Sequence, residues 1–248
     1  MSQSSKHFFS VIIPTLNEEK YLPRLLGDLA KQTARDFEVI VVDGSSHDKT
    51  VRCAREFRKQ LLLTILTVTA SNVSLQRNRG ARHARSQYLV FLDADVRIPE
   101  HFLLTLKKLL SNTRTDYATT RYRADQETLL DQGLTTIGSG AMQLSALVGK
   151  PFFSGQCIVM KTTVFRKLHG FDKSITHAED CDLVQRAAKA GCVGRMFFET
   201  FHTISLRRMR RDGRIATIGK LMYASIYQLV KGPIRETIFA YEMGGQAK

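Results

Sequence analysis

Short apolar runs and amphipathic stretches alternate through the first half of the chain. Residues 9–13 form an apolar run closed by Pro14, as expected of a buried strand. Leu22, Leu25, Leu26 and Leu29 recur at i, i+3, i+4 and i+7, which is one face of a helix. Pro23 suits that helix's first turn, where its missing N–H does no harm. The pattern continues with a strand at 37–42, a helix at about 48–58 and a strand at 61–68. Next comes a helix whose Val73, Arg77, Gly80, Ala81 and Ala84 share a face, then a strand at 88–92. Pro99 opens a helix that turns Phe102, Leu103, Leu106, Leu109 and Leu110 inward. Such βαβα order predicts an α/β fold with a mainly parallel sheet, covered on both faces.

The second half is less regular. A strand is expected at 156–161, a short helix at 163–168 stopped by Gly170, a helix at 180–190 and a strand at 193–198. Ile215, Ile218, Met222, Ile226 and Leu229 predict an amphipathic helix over 214–231. Residues 125–154 carry no motif. No linker is visible, so the chain reads as one domain: an α/β body over 1–204 and a basic helical tail over 205–248.

The charge changes this picture. The chain has 248 residues, with 37 Lys and Arg against 23 Asp and Glu, a net charge of +14. That balance points to an anionic partner. Cys53, Cys157, Cys181 and Cys192 form no Cys-x-x-Cys pair, so free thiols and a cytoplasmic setting are expected. The longest charge-free run, 132–149, is too rich in Gly, Ser and Thr for a membrane span.

Open α/β sheets bind ligands beyond the carboxyl ends of their strands. Three polar clusters fall there: Pro14-Thr15-Leu16-Asn17-Glu18, 43–48 beginning Asp43-Gly44, and Asp93-Ala94-Asp95. Each alone is ordinary turn chemistry. Together they suggest a site. Asp93 and Asp95, two residues apart at a strand end, suit a magnesium or manganese ion and phosphate oxygens. Glu179, Asp180 and Asp182 open a helix, and three acids exceed what a cap needs. The helix macrodipole and a partly open cleft favour an ionised Asp180, against repulsion from Glu179. No Gly-x-Gly-x-x-Gly follows the first strand and no P-loop is present, which argues against a dehydrogenase or a P-loop NTPase.

Residues 10–19 (SVIIPTLNEE), 41–50 (VVDGSSHDKT), 76–84 (QRNRGARHA), 91–95 (FLDAD), Gly170-Phe171-Asp172 and Glu179-Asp180 together resemble the family 2 glycosyltransferases of GT-A fold. The resemblance runs from about residue 10 to 191, in the family's order. It implies a Rossmann-like three-layer sandwich and an inverting, metal-dependent sugar transfer from a UDP- or GDP-sugar. It places Pro14, Thr15, Asn17, Glu18 and Asp43 on the nucleoside. Arg77 would face the donor, Asp95 would bind the metal with Asp93 beside it, and Asp180 would be the catalytic base. Two departures stand out. Asp43 is a single carboxylate where many members carry two, and the Gln-x-x-Arg-Trp motif of processive synthases is absent, which favours single-sugar transfer.

Two alternatives remain. A sugar-1-phosphate nucleotidyltransferase would want a Gly-rich loop after the first strand. A nucleic-acid-binding module would want a reading element or aromatics beside its basic patch, so no nucleic-acid partner is expected. Five arginines crowd residues 205–214, and nine basic residues face three acids over 205–248. That charge suits a donor pyrophosphate, a lipid-linked acceptor, or peripheral attachment to the inner membrane face. His202 is a candidate further metal ligand, though a lone His is more often structural.

Overall fold

The structure is a computed structural model, and it describes residues 6–69, 72–125, 128–147, 151–153, 155–206, 213 and 234–235. Seven strands form one sheet: β1 (His7–Thr15), β2 (Phe37–Asp43), β3 (Leu63–Thr67), β4 (Ser86–Leu92), β5 (Tyr117–Ala124), β6 (Cys157–Lys161) and β7 (Gly194–Ile204). The helices are α1 (Leu22–Ala30), α2 (Thr50–Glu56), α3 (Val73–His83), α4 (Phe102–Asn112), α5 (Leu129–Leu147), α6 (Thr162–Lys167) and α7 (Glu179–Lys189). The strand order is β3-β2-β1-β4-β6-β5-β7.

All neighbouring pairs are parallel except those made by β6, which runs antiparallel to both β4 and β5. β5 and β7 therefore point the same way as β4, and their carboxyl ends share its edge. The strands β1, β2 and β4 are buried almost throughout, as sheets covered on both faces require. One face packs Val11, Ile13, Val39 and Val90 against α1 and α4, where Leu22, Leu25, Leu29, Phe102 and Leu106 are buried. The other packs Ile12, Ile40, Val42 and Phe91 against α3, α6 and α7 through Ala81, Phe165, Leu183 and Val184.

Pro14 does not end β1. It still pairs with Val42 of β2, and Thr15 with Asp43, whereas pairing to β4 stops at Ile12↔Phe91. Pro14 thus stands where no partner on the β4 side needs its missing N–H. The chain runs from β1 outward to β2 and β3 on one side and returns to β4 on the other. A ligand crevice is expected at such a switch point, between β1 and β4.

Two elements carry no signal in the sequence: β5 and the 19-residue α5. α5 buries Asp131, Thr135, Ser139 and Met142 and exposes Ile137 and Leu144, at 72% and 62%. Its polarity is inverted relative to an ordinary surface helix. β7 runs past 198 to Ile204, with a bulge that pairs Thr120 with Phe197 but Arg121 with Phe201. The helix expected over 214–231, and all of the arginine cluster's cations, lie outside the described residues. Ile234, 1% exposed, bridges to His177 just before α7, and Arg235 pairs with Asp172 at 3.1 Å. No helix among the described residues is long and apolar enough to cross a membrane.

Candidate active site

The first two polar clusters interlock at the ends of β1 and β2. Asp43, 1% exposed, accepts from Ser46 N–H at 2.9 Å, Ser46 Oγ at 2.5 Å and Thr15 Oγ1 at 3.3 Å. Ser46 Oγ in turn accepts from Asn17 N–H at 2.8 Å, and Asn17 Oδ1 accepts from His47 N–H at 2.9 Å. Glu18 N–H donates to Thr50 Oγ1 at 2.7 Å. Asn17 and Ser45 take positive φ (53° and 66°), so this double turn is tightly wound and held by side chains. Gln76, buried on α3, donates to Thr15 O and Val42 O at 2.8 and 2.7 Å. It satisfies carbonyls where the β1 and β2 ladder gives out. Pro14, Thr15, Asn17, Glu18 and Asp43 are thus brought together.

Arg77 lies one residue further along α3 and is 2% exposed. Its Nη2 donates to Asp93 Oδ1 at 2.9 Å and Gly155 O at 3.0 Å, and its Nη1 to Glu179 Oε1 at 2.8 Å. The guanidinium stands over the Phe171 ring, 5.2 Å from its centroid. One buried cation therefore ties the end of β4 to the start of β6 and the N-terminus of α7. Asp180 completes the cluster: its Oδ2 accepts from Gly155 N–H at 2.5 Å, and its Oδ1 from Cys181 N–H at 2.8 Å. A Cβ on Gly155 would lie 2.9 Å from Asp180 Oδ2 and 3.0 Å from Arg77 Nη2, so only glycine fits this approach.

Burial governs the acids here. It raises the Glu179 carboxyl to about 7, helped by Asp180 and opposed by Arg77. Burial also raises Asp180, against Arg77 and the Cys181 and Gly155 N–H groups. Asp180 stays partly exposed, yet desolvation outweighs the helix terminus expected to favour its ionised form. Asp182 has a plainer role, pairing with Arg186 at 2.7 Å one turn on, while Arg186 also caps Leu168 O and Gly170 O.

Asp95 stands apart from Arg77. It lines a cleft of about 420 Å³ with Tyr21, Arg24, Arg97, Asp125 and Thr203. Arg97 is forked onto Asp28 of α1 at 2.5 and 2.7 Å, which fixes the loop after β4. His202, 1% exposed, is held by Thr120 Oγ1 at 2.8 Å from Nδ1, and its Nε2 has no hydrogen-bond partner. Burial lowers its pKa to about 3, so the ring is neutral at physiological pH, the state a metal ligand needs. No three His, Cys, Asp or Glu among the described residues converge on one ion. Two carboxylates at a strand end fit a hard cation that draws its other oxygens from a phosphorylated ligand and water.

Gly155 and Gln76 act here without having stood out in the sequence. Gln76 falls within a quoted motif, but nothing marks which of its residues reaches the strand ends. Gly155 precedes the strand start by two residues and carries no local pattern.

Comparison with known proteins bears on this arrangement. A 91-residue stretch is 38% identical to the poly(ribitol-phosphate) β-N-acetylglucosaminyltransferase TarS of Staphylococcus aureus, covering 35% of this chain and 16% of the relative. An 89-residue stretch is 44% identical to a PGL/p-HBAD biosynthesis glycosyltransferase of Mycobacterium tuberculosis, covering 35% of each chain. This chain thus spans well under half the length of these curated relatives. Among solved structures, TarS 1–349 in complex with UDP superposes with a TM-score of 0.67 at 23% identity, over 80% of this chain and 61% of that one. The mannosyltransferase PcManGT of Pyrobaculum calidifontis, in complex with GDP-Man and Mn2+, gives 0.67 at 21% identity, over 81% and 57%. At these identities the superpositions establish the fold. The family model described as glycosyl transferase family 2 matches residues 10–169, well over half of the sequence, and the chain belongs to that family.

Proposed function

We propose that the chain transfers a single sugar, with inversion, from a nucleoside-diphosphate sugar to an acceptor hydroxyl or a lipid-linked phosphate. The observation that carries this reading is the Arg77 bridge. It holds Asp93, at the strand end suited to a phosphate-bound cation, in one rigid unit with Glu179 beside Asp180. On this reading the interlocked turns present Pro14, Thr15, Asn17, Glu18 and Asp43 to the nucleoside. UDP and GDP are both in play, because the similar structures hold UDP in one case and GDP-Man in the other.

Asp95 would hold a manganese or magnesium ion with Asp93, whereas His202, buried on β7 and outside the lining of the Asp95 cleft, is not a third ligand. Such an ion supplies charge neutralisation for the departing diphosphate. The chain's own residues do the rest. Asp180 Oδ receives the acceptor proton, and a carboxylate whose proton affinity burial has raised is the stronger base. The Gly155 and Cys181 N–H groups orient it, and together with the charge of Arg77 they limit how far its proton affinity rises. The net charge of +14 supports peripheral attachment to an anionic membrane face, near a lipid-linked acceptor.

The test is calorimetry with UDP, GDP and their sugar conjugates, each with and without manganese. One nucleotide should bind tightly only with the ion, and Asp95→Ala should abolish that dependence while the melting temperature stays near wild type. Affinity indifferent to manganese in both proteins would remove the metal assignment. Failure of every nucleotide to bind would sink the donor reading itself.

A further inference from the structure

A second concavity, of about 530 Å³, opens between β5 and α5. Arg121 and Arg123 enter it from β5, Gln132 and Ser139 from α5, and Phe198 from the β7 bulge. No Asp or Glu lines it. Both guanidinium groups lie over the Phe201 ring, at 5.5 and 3.9 Å from its centroid, which fixes their position without neutralising them. Neither has a carboxylate within salt-bridge distance among the described residues. Arg121 Nε is buried and has no hydrogen-bond partner. A buried, unsatisfied guanidinium N–H is costly, and an anionic ligand would relieve it.

The concavity's place gives it meaning. β5 runs in the direction of β4, so Arg121 and Arg123 approach the edge that carries Asp93 and Asp95. Two strand spacings, about 10 Å, separate β5 from β4. The β1 and β2 turns lie on the other side of β4. Along this edge the order is nucleoside turns, Asp93–Asp95, then the arginine pair.

We infer that this concavity is an acceptor subsite that binds a phosphoryl group carried by the acceptor, gripped by Arg121 and Arg123 with Gln132 and Ser139 as further donors. Guanidinium forks match phosphate oxygens, and Phe201 holds the two forks in place. The inference rests on the glycosyltransferase reading above and names the chemistry of its acceptor. The phosphoryl group has two sources, a water-soluble phosphate ester or a lipid headgroup.

The experiment uses the full chain and two probes: glycerol 3-phosphate, and phosphatidylcholine vesicles with or without phosphatidic acid. UDP and GDP with manganese form a control arm. Wild type should bind glycerol 3-phosphate, or phosphatidic acid vesicles in preference to neutral ones, and the responding probe identifies the source. Arg123→Gln, at an exposed position, should weaken that binding about tenfold, and Arg121→Gln with Arg123→Gln should remove it. Gln132→Glu, which sets a like charge against the ligand and leaves both arginines in place, should weaken it too. Nucleotide affinity should stay unchanged in all three. Binding of neither probe by wild type, or equal binding by the variants, overturns the inference. A fall in nucleotide affinity in step with phosphate affinity also overturns it, by giving the arginines to the donor while the donor reading stands. Arg-dependent phosphate binding by a protein that binds no nucleotide would refute the acceptor role and the donor reading together.

Discussion

At the ends of β1 and β2, nearly every polar side chain is committed to another group of the protein. Asp43 accepts three hydrogen bonds, Asn17 and Ser46 bond each other's turns, and Gln76 spans two strand ends. At the ends of β5 and β7 the reverse holds. Arg121 Nε and His202 Nε2 are buried without partners, two arginines face a cavity with no acid, and α5 turns Ile137 and Leu144 outward. The first edge is a finished surface, rigid before any ligand arrives. The second is built around groups whose partners are not among the described residues. Arg77, Glu179 and Asp180 form the seam between them.

Breaking the seam should have the largest effect. Asp180→Asn should cut transfer by about 100-fold or more, the scale of a lost general base, with donor affinity nearly intact. Turnover and sugar-nucleotide affinity measured on one preparation check this; normal turnover would place the base elsewhere.

The finished edge should be next most sensitive. Asp43→Ala strips partners from Thr15 and Ser46 and should cost about 1–3 kcal/mol of stability, besides weakening nucleoside binding more than pyrophosphate binding. Arg123→Gln at the second edge should change stability by less than about 0.5 kcal/mol. Urea denaturation of both variants tests the contrast, and equal losses would erase it.

A further effect concerns pH. Glu179 is pushed up from its ordinary 4.5 to about 7, so the folded chain holds that proton more tightly than the unfolded one. Its contribution to stability is complete below about pH 4.5, declines as pH rises through 4.5–7, and is flat above. Glu179→Gln should remove this slope and reduce transfer less than Asp180→Asn does. Melting temperatures at pH 5 and pH 7.5 compare the two proteins; an unchanged slope in the variant would show that Glu179 is not its source.

The same contrast explains what the sequence disclosed. β1, β2, β4 and β6 announce themselves as apolar runs because the sheet is buried on both faces. The turn residues 14–18 and 43–48 are legible because backbone geometry restricts which residues serve there. β5 hides because its buried Thr119 and Thr120 are satisfied only by distant groups, Cys157 O and His202. α5 hides because it buries Thr135 and Ser139 and exposes Ile137, so periodicity points to the wrong face. Arg77 stands out by its place in a motif. Its bond to Glu179, 102 residues away, cannot be read from any local pattern.

The strand order also dictates how the sheet is assembled. β1 to β4 are contiguous in sequence and close a four-stranded block using residues 7–92 alone. β5, next to emerge from a ribosome, finds no edge to join, since its sheet partners are β6 and β7. It must wait for residue 157, when β6 inserts backwards between it and β4. The nascent chain therefore carries the completed β1 and β2 turns while residues 93–156 trail behind them, and Arg77 meets both its carboxylates only after residue 179 is made. Domains commonly fold in such N-terminal-first order. Pulse-labelled hydrogen exchange should find β1–β4 amides protected before those of β5, and simultaneous protection would mean that the whole sheet condenses at once.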